Sequence, residues 1–259
     1  MSIFNYLVEN PVTRKIGMTI IGLGLLSSQK LAYADTLFRA AKGPKDFQLD
    51  QRFNYSENDA DVKTSSSNTI LKYWPSATPI FASVNIPYKQ IESPKSSSEG
   101  LGDLTLTFGP RIKTDNLHLL PFVSYTFPTG DNDAKPALGN GRKDLQIGQA
   151  LTWFSDDNKS QLNAVVAYTF TGENDKRINP PNELYAGFLG GTKLSDNIIV
   201  GAGANGTIKN NGDYAVNGRL AGRYTFNPTY NIELNYDKTL FSKTLPEANT
   251  LGLWFRVNF

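Results

Sequence analysis

The chain has 259 residues, with 26 basic and 24 acidic side chains, one histidine and no cysteine. The lack of cysteine excludes disulfides, thiolate metal sites and a lipid-bearing N-terminal cysteine. A mean hydropathy of −0.35 excludes a bundle of membrane helices, but it suits a barrel in which every second residue faces a polar lumen.

Residues 1–34 read as an export signal. Arg14 and Lys15 precede an apolar run from Ile16 to Leu26, and Ala32-Tyr33-Ala34 offers small residues at both cleavage-specificity positions. The run is well short of the roughly 20 residues that a spanning helix needs. Removing the segment takes three of the 26 basic residues and one of the 24 acidic ones, leaving 23 of each in residues 35–259. The mature chain is therefore neutral, and its charge indicates no nucleic-acid partner. Residues 35–45 are expected to be a periplasmic N-terminal segment, too short for a plug domain but long enough to lodge in the periplasmic mouth.

From residue 46 onward, apolar residues recur at alternate positions and helical spacing is nowhere sustained. The pattern predicts strands at 46–56, 67–74, 78–90, 101–113, 117–128, 144–155, 160–171, 183–194, 197–208, 213–226, 229–241 and 248–259. In the segment at 229–241, Tyr230, Ile232, Leu234 and Tyr236 alternate with Asn231, Glu233, Asn235 and Asp237. The expected fold is all-β: a transmembrane antiparallel up-and-down β-barrel of about twelve strands. The predicted connections alternate between short turns and longer loops, among them 57–66, 91–100, 129–143 and 172–182. Such asymmetry places the termini and the short turns in the periplasm. Aromatic residues mass at strand ends, including Phe53, Tyr55, Tyr73, Tyr88, Trp153, Tyr224, Tyr230 and Phe259, as in the girdles of outer-membrane barrels.

The same alternation assigns a lumen-facing set. Arg52, Lys72, Lys89, Arg111, Lys193, Arg219, Arg223 and Arg256 are predicted to point inward, together with Asp50, Asp103, Glu233 and Asp237. Arg219 and Arg223, then Glu233 and Asp237, then Arg256 stand on neighbouring strands and are placed to form a ladder of opposite charges. The surplus of cations reads as the lining of a passage that favours anionic or polarisable aromatic solutes. Inward-facing Trp254 and Tyr185 supply stacking surfaces.

Catalytic chemistry finds little support. His118 starts a predicted strand with no serine at motif spacing to serve as its partner. Asp131, Asp133, Glu173 and Asp175 are acidic loop residues, but Lys135 stands where a calcium loop needs an oxygen ligand. No catalytic residue, metal site or cofactor is expected.

Four segments occur in a characteristic order: Gly100-Leu-Gly-Asp-Leu-Thr-Leu, Phe127-Pro-Thr-Gly-Asp131, Leu138-Gly-Asn-Gly-Arg142 with Asp144, and Val166-Ala-Tyr-Thr-Phe-Thr-Gly172. From Gly100 to Phe259 the chain resembles the outer-membrane family labelled phenol-degradation meta-pathway (MetA-pathway) proteins. The resemblance implies a transport barrel for aromatic or other poorly soluble compounds, and brings no catalytic residues. It also implies that the terminal aromatic Phe259 presents the last strand to the barrel-assembly machinery. The expected function is passive passage of small solutes through the outer membrane, in contact with its lipid and lipopolysaccharide. The alternatives are a non-conducting barrel whose loops bind a partner and a membrane-embedded hydrolase.

Overall fold

The computed structural model describes residues 46–75, 78–174 and 180–259. The segments expected to be an export signal and a periplasmic N-terminal stretch lie outside the described residues. The strands are β1 (Phe47–Asn58), β2 (Lys63–Tyr73), β3 (Ile80–Ser93), β4 (Ser96–Leu101), β5 (Leu104–Pro110), β6 (Ile112–Lys113) and β7 (Leu117–Phe127). They continue with β8 (Asp144–Phe154), β9 (Ser160–Phe170), β10 (Glu183–Lys193), β11 (Ile198–Lys209), β12 (Tyr214–Thr225), β13 (Tyr230–Lys243) and β14 (Ala248–Asn258). β1 pairs with both β2 and β14, and β2 pairs with β3, so the antiparallel sheet closes on itself. β4, β5 and β6 follow one another in a single place in the wall, giving a closed barrel of 12 strands. Closure matters because a lipid-facing sheet edge would leave backbone N–H and C=O groups without partners in hydrocarbon.

The barrel is apolar outside and polar inside. On β1 the outward residues Phe47, Leu49, Phe53 and Tyr55 alternate with the buried Gln48, Asp50 and Arg52. Phe47 and Tyr55 lie eight residues apart, about 26 Å along a strand at about 3.3 Å per residue, or about 20 Å of height at a tilt of about 40°, most of an apolar band about 25 Å tall. The aromatic residues predicted for the girdles face outward. Within the girdles, residues two apart in sequence pack edge to face, as in Tyr168–Phe170 on β9 and Tyr224–Phe226 at the end of β12, both with ring centroids 4.9 Å apart.

Three expectations are corrected. The strand expected at 67–74 begins at Lys63, and the loop expected at 57–66 shrinks to 59–62, because Glu57↔Lys63 already belongs to the β1–β2 ladder. The loop expected at 91–100 is a hairpin in which Ser93 pairs with Ser96. Both segments are serine-rich, so an apolar alternation has nothing to mark. The strand expected at 101–113 breaks twice, at Gly102–Asp103 and at Arg111, where the amides of Gly102 and Arg111 instead donate to the carbonyls of Pro87 and Pro79 at 2.8 and 2.6 Å. The strict alternation of short and long connections is consequently lost. The long ones that remain are 128–143 and 171–182.

Candidate functional site in the lumen

Register alone stacks the inward side chains of five neighbouring strands into rows. One row runs Arg223↔Glu233↔Trp254↔Arg52 across β12, β13, β14 and β1. The next toward the end that holds Phe47 and Phe259 runs Asn231↔Arg256↔Asp50↔Ile70, and toward the opposite end Arg219↔Asp237↔Thr250↔Ser56 lies two residues beyond Ala221↔Asn235↔Gly252↔Asn54. Two of the predicted ladder pairs form. Arg219 grips Asp237 through Nε and Nη2 at 2.6 and 2.8 Å, and Arg223 grips Glu233 at 3.0 and 2.6 Å.

Arg256 reaches across the β14–β1 seam to Asp50 at 2.8 Å rather than continuing the ladder to β13. Asp50 also accepts from Arg52 at 2.8 Å and from Lys72 at 2.6 Å. One carboxylate, 1% exposed, thus gathers three cations. Among the described residues this wall carries five cations, Arg52, Lys72, Arg219, Arg223 and Arg256, against the three carboxylates of Asp50, Glu233 and Asp237. Trp254 stands in their midst. Its Nε1 donates to Asn54 at 2.9 Å, and the guanidinium carbons of Arg52 and Arg219 lie 4.3 and 5.9 Å from its ring centroid, the geometry of cation–π attraction.

Two predicted members stand apart. Arg111 is half-buried in the break between β5 and β6, its guanidinium 5.7 Å from the ring of Trp74. Lys193 has the inward parity but is the last residue of β10, and it is exposed at the rim instead of lining the passage. Tyr185 points inward as expected, but joins an apolar cluster with Ile70, Trp74, Phe81, Leu120, Phe122 and Val165. That cluster was not anticipated; it runs from β2 round to β10, meeting the charged strands at β2, where Ile70 pairs with Asp50. Its signal was present in the inward parity of Leu120, Phe122 and Val165. His118 lies edge-on to Phe154 with centroids 5.5 Å apart.

Asp103 acts from the mouth, not from the lumen wall. Its carboxylate accepts from the amides of Gly130 at 3.0 Å and Asn140 at 2.6 Å, and Thr129 Oγ donates to the Gly102 carbonyl at 2.9 Å. Lys89 Nζ donates to the Leu138 carbonyl at 3.2 Å, and Leu138 packs on Ile91. Loop 128–143 is thereby folded down over the outer end of the wall. Glycine is required where the loop passes the strand: a Cβ at Gly139 would sit 2.4 Å from an Asp103 carboxylate oxygen. Asp144 joins the second long loop, accepting from Arg142 Nε at 2.8 Å and from the Gly172 amide at 3.0 Å. Glycine and acidic residues drawn from all four sequence segments thus meet in one place.

Of the acidic loop residues considered for calcium, Asp131 accepts the amides of Asp133 and Ala134 at 2.8 and 3.1 Å, an Asx-type turn. Asp175 lies outside the described residues.

Solved structures share this architecture. An outer membrane channel from Pseudomonas putida F1 superposes with a TM-score of 0.71 at 18% identity, covering 88% of this chain and 98% of that one. The NanC porin gives 0.59 at 11% identity over 82% and 100%, and the CymD monoaromatic hydrocarbon channel 0.50 at 8% over 83% and 89%. At these identities the likeness is one of fold. No curated protein sequence matches the chain. The model of the family described as "Putative MetA-pathway of phenol degradation" matches residues 43–257.

Proposed function

This chain belongs to the phenol-degradation MetA-pathway family, and on that premise we propose that it is a passive outer-membrane channel for small solutes with a preference for anions. The observation that carries the preference is the gathering of Arg52, Lys72 and Arg256 about the single carboxylate of Asp50. Charge held in a narrow, low-dielectric passage raises the local concentration of the opposite sign. Arg219–Asp237 and Arg223–Glu233 compensate one another and orient the wall. The architecture shared with channels and porins supports passage rather than chemistry.

Three finer readings accompany this one. Residues 1–34 direct export and are removed. Phe259, stacked on Phe47 with centroids 5.8 Å apart and bonded to its backbone, presents β14 to the assembly machinery. On the outer girdle, a hollow of about 420 Å³ lined by Tyr55, Glu57, Tyr236 and Lys238 is suited to lipid or lipopolysaccharide head groups.

The test is the reversal potential of the reconstituted protein under a potassium chloride gradient. Chloride preference is expected, and it should diminish in Lys72→Gln. Cation preference, or a silent bilayer, would sink the proposal.

A further inference from the structure

Loop 128–143 joins β7 to β8, and its residues divide sharply by exposure. Asp131, Asp133, Lys135 and Lys143 are exposed, whereas Leu138, Gly139, Asn140, Gly141 and Arg142 form an unbroken buried run. Such a run, lying outside the strands, must satisfy its backbone groups against some surface, and its anchors show which one. Lys89 and Ile91 have the inward parity of β3, and Asp144 has that of β8. Asp103, just ahead of β5, shares the inward parity of Thr105 and Thr107. Lys89 donates to the Leu138 carbonyl, Ile91 packs on the Leu138 side chain, Asp103 accepts from the Asn140 amide, and Asp144 accepts from Arg142 Nε. These anchors all face the lumen, so the run lies on the inner surface of the wall, inside the mouth at the long-loop end.

The attachment is local and mostly polar. The Asp103 carboxylate takes one amide from each limb of the loop, Gly130 at 3.0 Å and Asn140 at 2.6 Å, so it fastens the loop both to the wall and to itself. The Ser98 hydroxyl donates to the Pro136 carbonyl. The apolar part is small: Leu138 and Ile91, with the half-buried Val62 and Ala134 beside them. Elements held by few apolar contacts and by hydrogen bonds close to bulk water open at free energies well below that of global unfolding. β7 and β8 are paired along their length, so the loop can lift without opening the wall.

We infer that residues 138–142 are a latched gate. Docked on the inner faces of β3, β5 and β8, the run narrows the mouth; released, it admits solutes that the docked form turns away. Asp103 is the positioning residue of the latch, because it alone among the anchors named here holds both limbs of the loop. The two states differ in a few polar bonds and one small apolar contact, which is the scale of a two-state element that a modest change in binding free energy can bias. The inference rests on the channel reading for the passage that the gate controls, and it adds the step by which a solute is let in.

The chain has no cysteine, so Ile91→Cys with Leu138→Cys, at two side chains that touch, introduces a single disulfide that ties the run to β3. Single-channel currents of the full chain in planar bilayers are recorded after oxidation with copper phenanthroline and again after dithiothreitol. The oxidised protein should pass no more current than the wild type, and reduction should raise it. A second readout needs no current: Leu138→Cys alone places a thiol at a position 4% exposed, and a charged thiol reagent reaches it in vesicles only when the run lifts. Adding Asp103→Asn should speed that reaction about tenfold, the shift that weakening two charge-assisted bonds gives a two-state latch. Equal currents in the cross-linked and reduced states leave the channel standing and remove the gate. An unchanged thiol rate in a folded Asp103→Asn, or a folded pair that will not cross-link, overturns the inference as well. Silence in every state with the faster thiol rate keeps the latch and fails the channel reading.

Discussion

Replacing Asp50 with asparagine keeps the side chain's shape and removes the charge on which three cations converge. Arg52, Lys72 and Arg256 bond to this carboxylate at 2.8, 2.6 and 2.8 Å, and all four side chains are at most 7% exposed. Taking one partner from a buried ion pair costs about 3–5 kcal/mol, because the remaining charge stays desolvated without compensation. Here three charges lose the same partner, which places Asp50→Asn near the upper end, about 5 kcal/mol. The damage falls where the barrel closes, since Arg256 and Asp50 span the β14–β1 seam and Lys72 ties β2 to it. The assay is urea unfolding in lipid vesicles followed by tryptophan fluorescence, with free energies from linear extrapolation. Adding Lys72→Met to Asp50→Asn should recover about 1–2 kcal/mol, a positive coupling between neighbours. A loss below about 1 kcal/mol for Asp50→Asn would refute the reasoning, because it would mean that water already compensates these cations.

Asp103→Asn replaces charge-assisted bonds to two loop amides with neutral ones, a difference of about 1.4 kcal/mol; proteinase K should nick loop 128–143 about tenfold faster, and an unchanged rate would show that the loop is held by other contacts. Gly203→Ala drives a Cβ onto the Phe188 carbonyl and should cost at least about 3 kcal/mol, whereas Gly222→Ala, whose Cβ would meet nothing within 4 Å, should stay within about 0.5 kcal/mol. Both are read by urea unfolding in vesicles. Phe259→Ala should slow assembly into the outer membrane more than Phe259→Tyr, which keeps the ring on Phe47; equal rates for the two would remove the assembly role.

Strand after strand was legible because a barrel wall between lipid and lumen writes its two faces as a period of two. The segments that escaped were those whose faces differ little in polarity. Thr64 to Ser67 and Ser96 to Ser98 are strands by virtue of their partners, since serine on either face leaves no apolar stripe. Parity also placed Arg52, Arg219, Arg223, Glu233, Asp237, Trp254 and Arg256 inside, and adjacency of β12 and β13 made their two ion pairs readable. It left Arg256 without its partner because Asp50 is adjacent only after the first and last strands meet, a contact 206 residues apart in sequence. Lys193 shows the opposite limit. Parity says which way a side chain points, not whether the strand still encloses it. Asp103 was likewise assigned a direction but not a role. A carboxylate beside a strand break finds backbone amides from a distant loop, and no period announces that.

The two roles of the charged wall separate residue by residue. Asp50 staples the seam and sets the local charge, so no substitution there changes selectivity without loosening the barrel. Lys72 changes the charge and leaves Asp50 two guanidiniums. Arg223 and Glu233 are bonded to each other at 2.6 Å and are 5% and 3% exposed, so exchanging the two tests orientation apart from net charge. Arg223→Glu alone sets two carboxylates against each other in a buried place and should prevent stable folding or cost several kcal/mol. The double exchange Arg223→Glu with Glu233→Arg restores the pair across the same β12–β13 register and keeps the lumen's total charge. Its reversal potential should equal the wild-type value, with most of the stability regained. If the exchanged protein folds but loses its chloride preference, position and not summed charge governs selection, and the electrostatic account of the passage would have to be replaced by one of specific contacts at Arg223.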